Sequence, residues 1–248
     1  MVRQVPLRVL ELLASRLCHD LVGPVGAINN GLELLDDEGG DSDPDFMRDA
    51  VGLAMESGQK AAALLKFFRI AHGAAGSVTE VKPDVMRELA EAYLTLHKIK
   101  LDWREARGAA HQGGTVVAMR PEASGAALQD VDQGIRAKLV LNLVSTAAQA
   151  LPRGGSVLAQ VGGGGVGEPT LTLTAMGEGA RFSEELSQSF AIGARAASAT
   201  GSLDQAALDG LDARTITAFF SAWLAGSASL RITVDAEATG KIVFALIR

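Results

Sequence analysis

Three residues within one nine-residue stretch define the chemistry this chain can offer. His19, the adjacent acid Asp20 and Pro24 lie in Leu17-Cys18-His19-Asp20-Leu21-Val22-Gly23-Pro24-Val25. An ordinary imidazole titrates at about 6.5, so near neutral pH it keeps a lone pair and serves as nucleophile or proton carrier. Asp20 can orient such a ring or accept a proton from it, although helix neighbours do not face each other. Cys18-His19-Asp20 does not read as a metal chelate, because successive helix residues diverge by about 100°. The other histidines lack this context. His72 falls at a helix end, where a cation complements the helix dipole; His97 ends another helix, and His111 lies in a loop.

The element that must position His19 is a helix. Leu10, Leu13, Leu17, Leu21, Val25, Ile28, Leu32 and Leu35 recur at steps of three and four, the period of an amphipathic helix. His19 points roughly 160° away from Leu17 and Leu21 and so faces water or a partner. Leu12, Ser15, Arg16, Gly23, Gly26 and Asn30 fall within about 60° of it on the same count. Glycine costs a helix about 1 kcal/mol against alanine; at 23 and 26 its missing side chain lets another backbone come close. Arg16 supplies a cation suited to phosphate or carboxylate. Pro24 deprives the Asp20 carbonyl of its helical donor, which predicts a kink after the histidine. The bland alternative is a solvated histidine on a helix that bends.

The first helix is expected from near Pro6 to about Asp37, and a second from Pro44 to His72. Between them, Gly39-Gly40 stops one helix and Asp43-Pro44 starts the next. The second helix uses Met47, Val51, Ala54, Ala61, Leu65 and Phe68 as its apolar side, broadened by Leu53, Leu64 and Phe67. A lone helical hairpin cannot shield both apolar faces. A second copy would complete a four-helix bundle, so a homodimer through residues 7–73 is expected, the alternative being packing against the rest of the same chain.

Beyond Ser77 the pattern changes. Helices are expected at 82–97, 132–151, 182–190 and 211–224, with strands at 98–103, 115–120, 156–161, 170–175, 229–234 and 241–247. The Ala/Gly/Ser-rich span 191–202 reads as loop. The fold class is therefore α+β: a helical hairpin domain over 1–76, then an α/β sandwich over 77–248.

Composition narrows the function. The chain has 248 residues, 48% of them hydrophobic, so a sizeable core can form. Aromatics are only 4%, which leaves the core to Leu, Val and Ala. A net charge of −6 argues against nucleic acid as a partner. The single cysteine, Cys18, allows no internal disulfide and suits a reducing cytoplasm. No apolar run is long enough for a membrane span, and no signal sequence is visible.

A histidine-bearing hairpin followed by an α/β sandwich is the layout of sensor histidine kinases. The stretch around His19 resembles their H-box. Leu139-Val140-Leu141-Asn142-Leu143-Val144-Ser145-Thr146-Ala147, with Pro152-Arg153-Gly154-Gly155, resembles their N-box helix and its exit turn. The asparagine that such kinases use for magnesium and phosphate falls at Thr146. Their D-x-G-x-G motif reads Ala175-Met176-Gly177-Glu178-Gly179, and no glycine-rich ATP lid precedes 211–224. Losing a positioned acceptor costs about 1–3 kcal/mol, and a lost metal ligand and lid add to it, so the kinase fold is expected without its ATP chemistry.

With Val25-Gly26-Ala27-Ile28-Asn29-Asn30-Gly31-Leu32-Glu33-Leu34-Leu35, Lys66-Phe67-Phe68-Arg69-Ile70-Ala71 and Gly73-Ala74-Ala75-Gly76, the chain closely resembles the ChpT family of alphaproteobacterial histidine phosphotransferases. The likeness is strongest over 14–76 and 139–155, and weakest over 105–134, which looks like an insertion. It implies a relay: a receiver aspartyl phosphate of a hybrid kinase donates to His19, and phospho-His19 donates to a response-regulator aspartate. It implies His19 and Asp20 as catalytic residues and no cofactor of the chain's own, the Mg2+ coming from the receiver. Arg16, Gly23, Gly26, Asn30 and Lys66 are expected to contact the receiver; Gln59, Ala63 and Lys66 fall opposite His19 if the hairpin is in simple register. The expected setting is a cytoplasmic homodimer working with a hybrid-kinase receiver and response regulators, with neither nucleic acid nor membrane as partner. The competing readings are an ATP-dependent sensor kinase and a non-catalytic module that docks receivers.

Overall fold

A computed structural model describes residues 6–37, 43–73, 81–105, 133–162, 169–198, 205–237 and 240–247. The expected strand at 115–120, most of the 105–134 insertion, the turn at 38–42 and most of the loop closing the second helix lie outside these residues.

Helix α1 spans Leu7–Asp37 and runs through Pro24. Helix α2 spans Pro44–His72. The Asp43 side chain accepts from the Asp45 backbone N–H, and Pro44 occupies the first helical position, where no amide hydrogen is needed. The helices form an antiparallel pair. Gly31 sits against Ala50 and Ala54, where an added Cβ would come 2.9 Å from the Ala50 carbonyl oxygen.

The apolar stripe of α1 divides in two. Val9, Leu12 and Leu13 are buried, and they belong to one core with Leu64, Phe67 and Phe68 of α2. Leu12 thus corrects the expectation that it lies on the solvent face with His19. Leu10, Val25 and Leu32 remain about half exposed, at 52%, 47% and 53%. On α2, Val51, Met55 and Leu65 are exposed as well. A two-helix hairpin covers only a narrow arc of each cylinder, so the rest of a wide apolar face is left bare.

Helix α3, Pro83–Leu96, leads into strand β1, Ile99–Glu105. Helix α4, Gln133–Gln149, is followed by β2, Gly155–Val161, and β3, Leu171–Met176. Then come α5, Glu184–Ser198, the short α6, Gln205–Asp209, and α7, Ile216–Ser227. Strands β4, Arg231–Glu237, and β5, Lys241–Ile247, follow. The sheet order is β1-β2-β3-β5-β4. Among the described strands, β1 and β2 pair in parallel and the other pairs are antiparallel. Alternate residues Val157, Ala159 and Val161, then Leu171, Leu173 and Ala175, then Ile242, Phe244 and Leu246, are buried. This period-two pattern turns one sheet face into the helical layer.

The α+β class read from the sequence is what is found. Differences concern helices: the one expected at 211–224 runs from Ile216 to Ser227. Residues 191–198 extend α5 instead of forming loop, and α6 had no counterpart in the sequence reading. The small residues that look like loop composition serve close packing instead. Gly193 abuts the Phe219 carbonyl and Gly226 abuts Ala197, so α5 and α7 touch almost backbone to backbone.

Among the described residues no helix is long and apolar enough to cross a membrane.

Candidate functional site

His19 stands on the outside of α1 with 83% of its side chain exposed. Its Nδ1 lies 3.2 Å from Asp20 Oδ1. Helix neighbours do not face each other, a spacing that leaves this contact open in the sequence, yet the two side chains meet. Asp20 itself is tucked in, with 12% of its side chain exposed. Its Oδ2 lies 2.9 Å from Arg16 Nε, one helical turn back, and makes no aligned hydrogen bond there. The imidazole is thus presented while the acid behind it is held. With Nδ1 engaged, Nε2 is the ring nitrogen free to bond outward.

The remaining predicted site residues fall as follows. A Cβ added at Gly23 or Gly26 would meet nothing within 4 Å, so both lie on an open approach. Asn30 is exposed two turns beyond Gly23, and Lys66 is exposed on α2. The Gly31 contacts with Ala50 and Ala54 place residues 62–66 level with His19, counting twelve residues along each helix. Gln59 is exposed and Ala63 half-buried. Arg16 differs from its neighbours on that face. Only 15% of its side chain is exposed, and its guanidinium is turned to Asp20 instead of outward.

Behind Arg16 lies a groove that sequence reading did not find. Tyr93 of α3, His97 just past the end of that helix, Gln149 at the end of α4, and Leu151 and Pro152 of the exit turn line it together with Arg16. Tyr93 is buried, stacked on Phe67 at 4.0 Å, and its hydroxyl lies 3.0 Å from Ser145 Oγ. Burial pushes its phenol up, opposed by the Ser145 hydrogen bond and by Arg16. His97 lies 4.7 Å from the Tyr93 ring. Burial pushes His97 down, against the pull of the Asp20 carboxylate. From the sequence, His97 reads only as a helix end and Tyr93 has no role beyond its place in the 82–97 helix. Only their four-residue spacing hinted that they share a face.

His72 does not act as a dipole-complementing cation. Its ring lies between Phe68, at 6.1 Å, and Phe220 of α7, at 5.5 Å. Burial, aided by the Lys138 charge, pushes it down to about 4, so it is neutral at neutral pH.

Two of the positions that carry the likeness to a nucleotide site are buried in the core. Thr146 is fully buried; its hydroxyl lies 2.9 Å from the Asn142 carbonyl and 3.2 Å from Ser221 Oγ of α7. Ala175 is fully buried in β3, paired with Val157 and Ile242. Glu178, in the following turn, pairs with Arg153. Among the described residues, no group of three or more His, Cys, Asp or Glu side chains could hold a metal ion.

Residues 128–240 match the family model for the histidine phosphotransferase C-terminal domain. Over 228 residues the chain is 31% identical to the protein phosphotransferase ChpT of Brucella abortus (strain 2308), covering 92% of this chain and 90% of that one. The chain belongs to the ChpT family of phosphotransferases. A solved bacterial phosphotransferase, determined at 1.7 Å, superposes with a TM-score of 0.67 at 29% identity, over 99% of this chain and 98% of that one. The fold and the phosphotransferase activity are therefore those of the ChpT family. The family's C-terminal model begins just before α4 and ends in the turn between β4 and β5. It thus takes in Thr146, Ala175 and Ser221 of α7.

Proposed function

We propose that this ChpT-family chain carries the phosphoryl group on His19, taking it from a receiver aspartate of a hybrid kinase and passing it to a response-regulator aspartate. The observation that carries this reading is the exposed imidazole with Nδ1 3.2 Å from a half-buried carboxylate. In the first half-reaction the His19 Nε2 lone pair forms an N–P bond. The P–O bond to the receiver's aspartate breaks, and the electron pair leaves on that carboxylate. The ring becomes a phosphoimidazolium, whose Nδ1–H donates to Asp20. The second half-reaction reverses these steps on another receiver. Such transfer depends mainly on positioning and charge stabilisation. The charge stabilisation falls to a Mg2+ held by the receiver. Gly23 and Gly26 leave space for the receiver's loops, and Asn30 and Lys66 flank that space.

The hairpin, 1–76, is the dimerisation and transfer unit of this reading, and 77–248 its companion domain. The bare stripe through Leu10, Val25, Leu32 and Leu65 is to be covered by the same stripe of a second copy. The transfer needs no ATP bound by this chain. The buried Thr146 and Ala175 support that, and they weigh against an ATP-dependent kinase.

Mixing the chain with a radiolabelled phospho-receiver tests the proposal. Label is expected to move onto the chain and to be absent from His19→Ala. Transfer that survives in His19→Ala would overturn it. EDTA is expected to stop receiver-dependent transfer and to leave labelling by the small donor phosphoramidate intact; loss of both would place the metal on this chain.

A further inference from the structure

We infer that Arg16 is a positioning residue that acts through Asp20, and that the companion domain braces it through Tyr93, so the helical hairpin does not set the geometry of His19 alone. The inference deepens the proposed role of His19 and rests on it.

The sequence offers Arg16 as an outward cation. The structure places it elsewhere. Its guanidinium lies 2.9 Å from Asp20 Oδ2 and its side chain is 15% exposed, against 83% for His19. The opposite carboxylate oxygen, Oδ1, is the one within 3.2 Å of His19 Nδ1. One carboxylate therefore joins the cation to the imidazole. A carboxylate beside an imidazole fixes which ring nitrogen carries the proton and stabilises the positive ring that forms on attack.

The brace has a back wall. Arg16 shares its groove with Tyr93 and Gln149. Tyr93 is immobilised by stacking on Phe67 of α2 and by its 3.0 Å contact with Ser145 of α4. A guanidinium held on a fixed wall keeps less rotational freedom than one in water. The linkage runs from Ser145 of α4 to Tyr93, across the shared groove to Arg16, and on to Asp20 and His19.

Phosphoramidate separates this role from receiver contact, because it needs no protein partner. The Nε2 lone pair forms the N–P bond as the donor's P–N bond breaks and ammonia leaves. The new charge rests on the ring, with its Nδ1–H on Asp20, and that proton then passes to solvent or ammonia.

The experiment uses the full chain and Arg16→Met, Arg16→Lys and Tyr93→Phe, each checked for folding by circular dichroism. Arg16→Met is expected to slow phosphoramidate labelling about tenfold or more and receiver-dependent transfer by a similar factor. Arg16→Lys should recover part of the loss, and Tyr93→Phe should slow both by a smaller factor. Ring 15N shifts of His19 should move toward the other tautomer in Arg16→Met. Normal phosphoramidate labelling with slowed receiver transfer would make Arg16 a receiver contact and overturn the inference, as would unchanged rates in both assays. Should Arg16→Met fail to fold, Arg16→Lys and Tyr93→Phe decide by the same two assays and the same shifts. Phosphoramidate labelling retained in His19→Ala would sink the underlying role of His19, a result separate from either.

Discussion

Asn142 Nδ2 donates to the carbonyl oxygen of Ala71 at 2.9 Å, tying the last turn of α2 to the middle of α4. The same amide also donates to the Lys138 carbonyl at 2.8 Å. Asn142 is fully buried, and its Oδ1 has no hydrogen-bond partner. This side chain therefore serves as a donor only, between two backbone oxygens from the two halves of the chain. Asn142→Asp replaces that donor with a carboxylate facing two carbonyls. It is expected to destabilise the fold by roughly 3 kcal/mol or more, as an uncompensated buried charge does. Asn142→Leu removes the donor and the orphan oxygen together and should cost less, about 1–2 kcal/mol. Urea denaturation of the three proteins measures the order; equal midpoints for Asn142→Asp and wild type would refute it.

The glycines of α1 divide by what surrounds them, and substitution should divide them likewise. Gly23 faces open space, so Gly23→Ala is expected to fold and to gain up to about 1 kcal/mol of helix propensity. Gly23→Trp should fold as well, yet obstruct a receiver and slow receiver-dependent transfer at least tenfold, with phosphoramidate labelling unchanged. Gly31 has the Ala50 carbonyl oxygen 2.9 Å from any added Cβ. Gly31→Leu should cost about 1–3 kcal/mol through overpacking of the hairpin. Thermal melts and the two labelling assays check the contrast.

The bounds of α1 and α2 were legible because Gly39-Gly40 and Asp43-Pro44 are strong punctuation and capping chemistry is local. The alternation in β2, β3 and β5 was legible for a similar reason. Which half of the α1 stripe the hairpin itself covers was not, since periodicity gives a face but not the width of its partner. Helix α5 past residue 190 was missed because Ala, Gly and Ser suit both a loop and a tight helix crossing; only the Phe219 carbonyl against Gly193 decides between them. At the site, the exposure of His19 followed from angular counting. The inward turn of Arg16 did not, although its four-residue spacing from Asp20 allowed an ion pair. Tyr93, Ser145 and Gln149 reach the site only through tertiary packing, which no local pattern encodes.

His72 makes stability depend on pH in a definite direction. The folded protein keeps the ring neutral down to about pH 4 because it is buried beside Phe68 and Phe220. The unfolded chain protonates it at about 6.5. Between those values the unfolded state binds more protons, so stability is full above pH 6.5 and falls as the pH drops toward 4. The loss is on the order of 3 kcal/mol at most, and it levels off below pH 4. His72→Phe keeps the aromatic contacts without a titrating ring. It should flatten the pH 4–6.5 part of a curve of unfolding free energy against pH, and an unchanged slope there would assign it to other groups.

The bare apolar stripe carries the last prediction. Leu10, Val25 and Leu32 of α1 and Leu65 of α2 are each about half exposed in the single chain. His19 lies well around α1 from Leu10 and Val25, so covering the stripe leaves the imidazole open. A self-complementary pairing of two hairpins buries such a stripe in a four-helix bundle and keeps one histidine outward on each side. Val25→Lys and Leu65→Lys place like charges at that interface while disturbing no buried contact of the monomer. Each is expected to raise the dimer dissociation constant at least a hundredfold in sedimentation equilibrium. The helical circular dichroism of the monomer should persist, together with phosphoramidate labelling of His19. A wild-type chain that sediments as a monomer at high micromolar concentration would remove the dimer from the mechanism. The stripe would then belong to a different protein's surface.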